Sequence, residues 1–147
     1  GPVASETRDG FRFHRAPENG AAPFEPSAPT ATVRIVPSAA GVGRASIDEA
    51  VDAGVDGLVL SGTGLGNATT ALGDAVADAI DSDVPVVVAS RCLAGETRAV
   101  YGGGGGGETL RTHGVGFAGA LPAQKARIEL ALAIEQADDP LETFDSA

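Results

Sequence analysis

From residue 32 onward the chain alternates two kinds of apolar pattern. Short, largely apolar runs, Thr32–Val36, Gly57–Leu60, Pro85–Ser90 and Val115–Ala118, have the length of strands. The second is apolar throughout and the third is apolar up to Ser90, as expected of strands covered on both faces. Between and after them lie segments of helical spacing. Leu72, Val76 and Ile80 recur every four residues with Asp74 and Asp78 opposite, which predicts an amphipathic helix. Ser46 and Glu49 form a capping-box pattern that predicts a short helix over Ile47–Ala53, ended by Gly54. Glu108–Thr112 predicts one or two helical turns, stopped by His113-Gly114. Pro122 suits a first helical position, with the helix continuing over Ala123–Gln136. That segment is apolar over a wide arc, through Ile128, Leu130, Leu132 and Ile134, so much of its surface is expected to be covered. Asp139-Pro140-Leu141-Glu142 carries a cap-like pattern for a last short helix.

Strands alternating with helices predict parallel pairing through right-handed crossovers. The expected fold is α/β: a small parallel four-stranded sheet flanked by helices, Rossmann- or flavodoxin-like, over residues 32–147. The preceding sequence reads differently. Asp9-Gly10 is a hairpin turn signal between Thr7-Arg8 and the alternating Phe11-Arg12-Phe13-His14-Arg15. A lone two-stranded hairpin is marginal in water, and residues 18–31, rich in Pro, Ala, Gly and Ser, have linker composition. Residues 1–17 are therefore expected to be the terminal hairpin of another domain, lying N-terminal to this one.

Composition narrows the chemistry. The net charge is −10, which argues against nucleic-acid or anionic-membrane partners. Lys125 is the only lysine among ten basic residues, and acidic excess with so little lysine fits a high-salt cytoplasm, where salt screens carboxylate repulsion. Cys92 is alone, so no internal disulfide framework exists. His14 and His113, the only histidines, have no second ligand at metal spacing, and neither a metal nor a cofactor is expected. No apolar run approaches the roughly 18 residues of a membrane span. The chain contains no methionine and begins Gly1-Pro2, so it is expected to be processed or to lack its N-terminal part. A cytoplasmic location is the expectation, and nothing here bears on an export signal.

The stretch Ser61-Gly-Thr-Gly-Leu-Gly-Asn67 sits between a strand and a helix, where α/β proteins hold phosphates. The dinucleotide fingerprint, counted from Gly62, gives Gly62, Gly64 and Asn67, so its third glycine is missing. Asp83 precedes the next strand instead of ending it, and no Walker lysine follows. A nucleotide site is disfavoured. Two readings stay open: glycines for a sharp turn and close helix approach, with Asn67 as a helix N-cap, or a turn that places Asn67 for function. The six glycines 102–107 fit any glycine template and read compositionally as a flexible surface loop.

Three motifs, in order and at matching spacing, carry a resemblance. Asp56–Asn67, Val86–Gly95 ("VVVASRCLAG") and Gly119–Arg127 ("GALPAQKAR") resemble the C-terminal domain of bacterial-type L-asparaginases, and Gly1–Arg15 is similar to the final hairpin of that family's N-terminal domain. The resemblance implies hydrolysis of the asparagine side-chain amide by a threonine nucleophile, with a Thr-Asp pair and a lysine assisting. Those residues belong to the N-terminal catalytic domain. Neither nucleophile motif occurs in this chain, and Thr63 aligns with the C-terminal turn, so no catalytic residue is expected here. The resemblance implies a homo-oligomer, dimer or tetramer, in which this domain closes a neighbour's active site over the small molecule L-asparagine. Asn67 would support that site across the interface, with Gly64 and Gly66 shaping its turn. Glu96 has no firm counterpart to the glutamate that some members contribute, and Tyr101 carries no assigned role. Two other expectations stand beside this one: the D subunit of the archaeal amidotransferase that makes glutaminyl-tRNA, and a non-catalytic α/β binding module.

Overall fold

A computed structural model describes residues 4–8, 10–13 and 24–144. Two strands near the N-terminus, β1 (Ala4–Thr7) and β2 (Gly10–Phe13), pair antiparallel, with Thr7 opposite Gly10. Gly10 is thus the first paired residue after the reversal and not part of the turn, at φ +117°. Asp9, His14, Arg15 and the part of the linker before residue 24 lie outside the described residues. Phe11 and Phe13 are 71% and 74% exposed, so none of the described residues covers the aromatic side chains of the hairpin.

The α/β domain follows the predicted alternation. It runs β3 (Val33–Pro37), α1 (Ala45–Asp52), β4 (Gly57–Gly62), α2 (Thr70–Asp81), β5 (Val86–Ser90), α3 (Gly107–Thr112), β6 (Gly116–Pro122) and α4 (Ala123–Gln136). The four strands are parallel in the order β3-β4-β5-β6. Helices cover both faces, unevenly. Leu58 and Leu60 of β4, with Val86 and Val88 of β5, face the side packed by Ile47 of α1, Leu72 and Val76 of α2 and Leu110 of α3. The alternate residues Val59, Val87 and Ala89 face α4, through Ala126, Leu130 and Ala131. Period-two alternation thus divides each apolar run between two cores. All of β4 is buried, because both faces and both edges are occupied.

Several local expectations shift, each for a stated reason. The helix predicted at Ile47 begins at Ala45, with Arg44 at the N-cap position already in helical conformation. Ser46 is therefore inside the helix and makes no cap; the capping box does not form. Arg44 instead reaches Asp48 at 2.8 Å and, on α2, Asp78 at 2.6 Å. Gly54 ends this helix as expected, at φ +73°. Pro122 is extended and closes β6, one residue before helix α4 starts. The segment 139–144 forms turns and no helix: Asp139 accepts from the Leu141 and Glu142 amides, and Phe144 folds back into the α4 core. Ile128, expected under cover, is 43% exposed, because α4 meets the sheet with its alanines and Leu130.

Two measurements test this packing. Leu130 is fully buried between α4 and the sheet, and Leu130→Ala is expected to lower unfolding stability by about 2–5 kcal/mol in urea titrations. At the surface, hydrogen bonding from the Arg44 guanidinium holds the Asp48 carboxyl below the ordinary aspartate range. A folded pKa below the unfolded one means that the pair's contribution is present above the unfolded value and fades as pH falls through the folded one. Carboxyl-carbon NMR titration should find Asp48 titrating low in the native chain and returning to the ordinary value in Arg44→Ala.

Candidate functional site

The carboxyl ends of the strands carry the loops that could form a site. The turn after β4 is built without room for side chains. A Cβ on Gly62 would lie 2.6 Å from the carbonyl carbon of Gly66. Gly64 and Gly66 take φ +55° and +105°, the left-handed region that favours glycine. A Cβ on Gly66 would also lie 2.7 Å from a Val88 methyl. The turn closes on itself: the Thr63 amide donates to Asn67 O at 2.8 Å, and the Asn67 and Gly66 amides donate to Thr63 O at 2.9 and 3.0 Å.

Its carbonyls are held from outside. Ser90 Oγ donates to Gly64 O at 2.6 Å, the Arg91 amide to Gly62 O at 3.0 Å and the Arg98 amide to Leu65 O at 2.9 Å. A phosphate cradle needs backbone N–H groups aimed at a ligand. Here the amides of Thr63, Gly66 and Asn67 close the turn, and that of Ala68 donates to Gly105 O at 2.7 Å.

Asn67 does not cap α2. Thr69 does, its Oγ1 accepting from the Leu72 amide at 3.3 Å and donating to Val42 O at 3.0 Å. The Oδ1 of Asn67 instead accepts from the Gly107 amide at 3.1 Å. Gly107 is the first residue of α3, and the N-cap residue Gly106 has no side chain to satisfy that helix's free donors. Asn67 supplies the missing oxygen from forty residues away in sequence. Its Nδ2 lies over Gly64, where a Cβ would be 4.0 Å away. Asn67 also lines a shallow cleft of about 330 Å³ with Thr70, Tyr101 and the glycines 102–106.

The glycine run is a surface loop only in part: Gly102 and Gly103 are exposed, with open space around them, whereas the rest is packed. Gly105, Gly106 and Gly107 are buried. A Cβ on Gly73 of α2 would collide with the Gly104 carbonyl oxygen, one on Gly104 with the Thr70 side chain, and one on Gly105 with the Ala68 carbonyl. Backbone lies against backbone here, and only glycine permits that approach. No sequence signal marked this, because a run of identical small residues looks the same whether it is packed or free.

A second cleft, of about 480 Å³, opens between the ends of β4, β5 and β6, beside Ser61, Ser90, Arg91 and Cys92. It lies where the β5–β6 pairing shifts between Val88 and Ser90, with Gly119 at φ +56°. Arg91 Nη1 donates to Ser38 O at 3.0 Å, tying the ends of β3 and β5 together. Thr97, which the sequence did not single out, is fully buried; its amide and Oγ1 both reach Gly119 O. Glu96 is exposed and pairs with Arg98 at 3.3 Å, and Tyr101 is exposed.

The Asn67–Gly107 bond has a measurable consequence. Asn67→Ala leaves a helix N-terminal amide unpartnered, at a cost of about 0.5–2 kcal/mol, the size of a lost cap. Chemical denaturation should show that loss, and amide exchange at Gly107 should accelerate while exchange at Val59 keeps pace with global stability only.

Residues 32–144, the α/β domain, match the family model described as the Glutaminase/Asparaginase C-terminal domain. The chain is 34% identical over 106 residues to the D subunit of the glutamyl-tRNA(Gln) amidotransferase of Methanosphaera stadtmanae, covering 71% of this chain and 24% of that protein. It is 36% identical over 88 residues to the corresponding protein of Halobacterium salinarum, covering 59% and 20%. A probable L-asparaginase of Deinococcus radiodurans is 44% identical over 75 residues, covering 51% and 22%. The chain spans about a quarter of the length of the curated relatives it matches. Among the described residues, no helix is long and apolar enough to cross a membrane. With the parallel sheet, the glycine turn and the family match agreeing over the same residues, the chain belongs to the glutaminase/asparaginase family, as its C-terminal domain.

Proposed function

We propose that this chain is the C-terminal part of an L-asparaginase, which hydrolyses L-asparagine to L-aspartate and ammonia. In the proposed reaction a threonine hydroxyl of an N-terminal catalytic domain attacks the side-chain carbonyl, ammonia leaves, and water then hydrolyses the acyl ester. None of the residues present here performs those steps. The part assigned to this domain is to complete a neighbouring subunit's site in a homo-oligomer, through Asn67 with Gly64 and Gly66 shaping its turn.

The observation that carries the reading is the family match over residues 32–144, and the part given to Asn67 is supported by the bond from the Gly107 amide to Asn67 Oδ1. That bond engages the oxygen of the amide and so orients the nitrogen as the end free to serve as a donor, a fixed polar group at the carboxyl edge of the sheet. The acidic balance of the chain supports a high-salt cytoplasm as its setting. A second reading has its own support: the amidotransferase D subunit of Methanosphaera stadtmanae matches more of the chain than the asparaginase does. On that reading the released ammonia serves tRNA chemistry. A free-standing binding module is the weakest reading, because Phe11 and Phe13 are left exposed.

The test is ammonia release from L-asparagine, in molar KCl and in dilute buffer. The 147-residue chain alone should release none, and activity from it would sink the proposal. The polypeptide extended upstream by a catalytic domain should turn over free asparagine without tRNA, better in KCl. Release that requires tRNA and a partner protein would favour the amidotransferase reading. In the active protein, Asn67→Ala should lower kcat/KM by about ten- to a hundredfold, the size of one hydrogen bond to a charged partner. Light scattering on the eluting peak would report whether subunits associate.

A further inference from the structure

Residues 24–31 form neither helix nor strand, and two of them are prolines, Pro26 and Pro29. By composition they are a free tether. Their hydrogen bonds say otherwise. The last turn of α4 carries two adjacent polar side chains, Glu135 and Gln136, and both close on this segment. The Gln136 side-chain amide pairs with the Glu25 backbone as a strand neighbour would: the Glu25 amide donates to Oε1 at 2.9 Å, and Nε2 donates to Glu25 O at 3.1 Å. Nε2 also donates to Ser27 Oγ at 3.0 Å. Glu135 Oε1 accepts from the Thr30 amide, from Thr30 Oγ1 at 2.8 Å and from the Ala31 amide at 3.0 Å. At the other end Phe24 lines a shallow apolar groove with Leu121, Ile128 and Leu132.

The chemistry of Glu135 makes this arrangement more than incidental. A carboxylate in the last turn of a helix faces the negative end of the helix dipole, where it is disfavoured, and no basic residue lies in that turn. The donors that offset the penalty come from Thr30 and Ala31, and they hold the Glu135 carboxyl below its ordinary range. Pro26 and Pro29 have fixed φ and no N–H, so ordering the segment costs less entropy and leaves fewer donors to satisfy.

We propose that residues 24–31 are a latched strap, held on α4 by Glu135 and Gln136, which ties the N-terminal hairpin to the α/β domain at Phe24 instead of at the start of β3. The consequence is geometric. Between the hairpin and Phe24 lie residues 14–23, which at full extension span at most roughly 36 Å, whereas the stretch 14–31, available once the latch opens, reaches at most roughly 65 Å. The latch therefore limits how far anything carried with the hairpin can stand from the domain. It is independent of the proposed reaction.

Amide exchange by NMR on the 147-residue chain tests it, comparing the native sequence with Glu135→Ala/Gln136→Ala. The amides of Glu25, Thr30 and Ala31 should be protected in the native chain and exchange about tenfold faster in the double variant, one net hydrogen bond's worth, while Val59 and Val87 in the core keep their protection. Glu135→Gln, which retains an acceptor oxygen, should restore part of the protection at Thr30 and Ala31 in the single variant relative to Glu135→Ala. Unprotected amides at these three positions in the native chain, or equal rates in all variants, would overturn the latch. If the double variant loses core protection as well, the comparison of Glu135→Gln with Glu135→Ala decides by the same criterion.

Discussion

At the carboxyl edge of the sheet, backbone packs directly on backbone. The turn after β4 and the glycine run before α3 lie so near one another, and so near the first turn of α2, that a single methylene at Gly62, Gly73, Gly104 or Gly105 would overlap a main-chain atom or a side-chain stem. Side-chain packing tolerates small rearrangements, because rotamers adjust; a carbonyl locked in a helix or a closed turn does not. The carboxyl edge of the sheet depends on this constraint. It brings Gly107 within hydrogen-bonding distance of Asn67, starts α3 where it starts, and lets α3 deliver Leu110 to the same core as Leu72 and Val76.

The constraint also explains why the Asn67 amide sits at the domain edge with one end already engaged. A helix whose N-cap is glycine has free donors and no oxygen of its own to meet them. Borrowing that oxygen from the neighbouring turn fixes two loops with one bond. A side chain held this way is fixed by structure already needed for folding. Ser90 and Arg91 act similarly: one holds the turn at Gly64, the other ties β5 to the end of β3.

The sheet was legible because burial on two faces leaves few options for a short run such as Gly57–Leu60 or Val86–Ala89. The helix over 70–81 was legible from its four-residue apolar spacing. The local end signals were less reliable. Ser46 and Glu49 fit a capping box, yet Arg44, with partners on both α1 and α2, lets the helix begin ahead of that box, at Ala45. The cap-like Asp139 makes its side-chain bond, but to a turn, because Phe144 is drawn into the α4 core before a helix can extend. In each case a tertiary contact outweighed a local preference worth about 1 kcal/mol.

The sequence by itself determined the layer order and the two-faced core, and three motifs carried the resemblance to the family. The layers and the core follow from periodicity, and the motifs are short contiguous stretches; both are properties of neighbours in sequence. Only the tertiary structure decided what Asn67 touches, that the glycine run is packed, and that residues 24–31 lie bound to α4. Those contacts join positions roughly thirty to more than a hundred residues apart. Composition is silent about them because the same glycines and prolines serve a free loop or a closely packed one; which of the two forms depends on whether a distant surface supplies matching donors and acceptors.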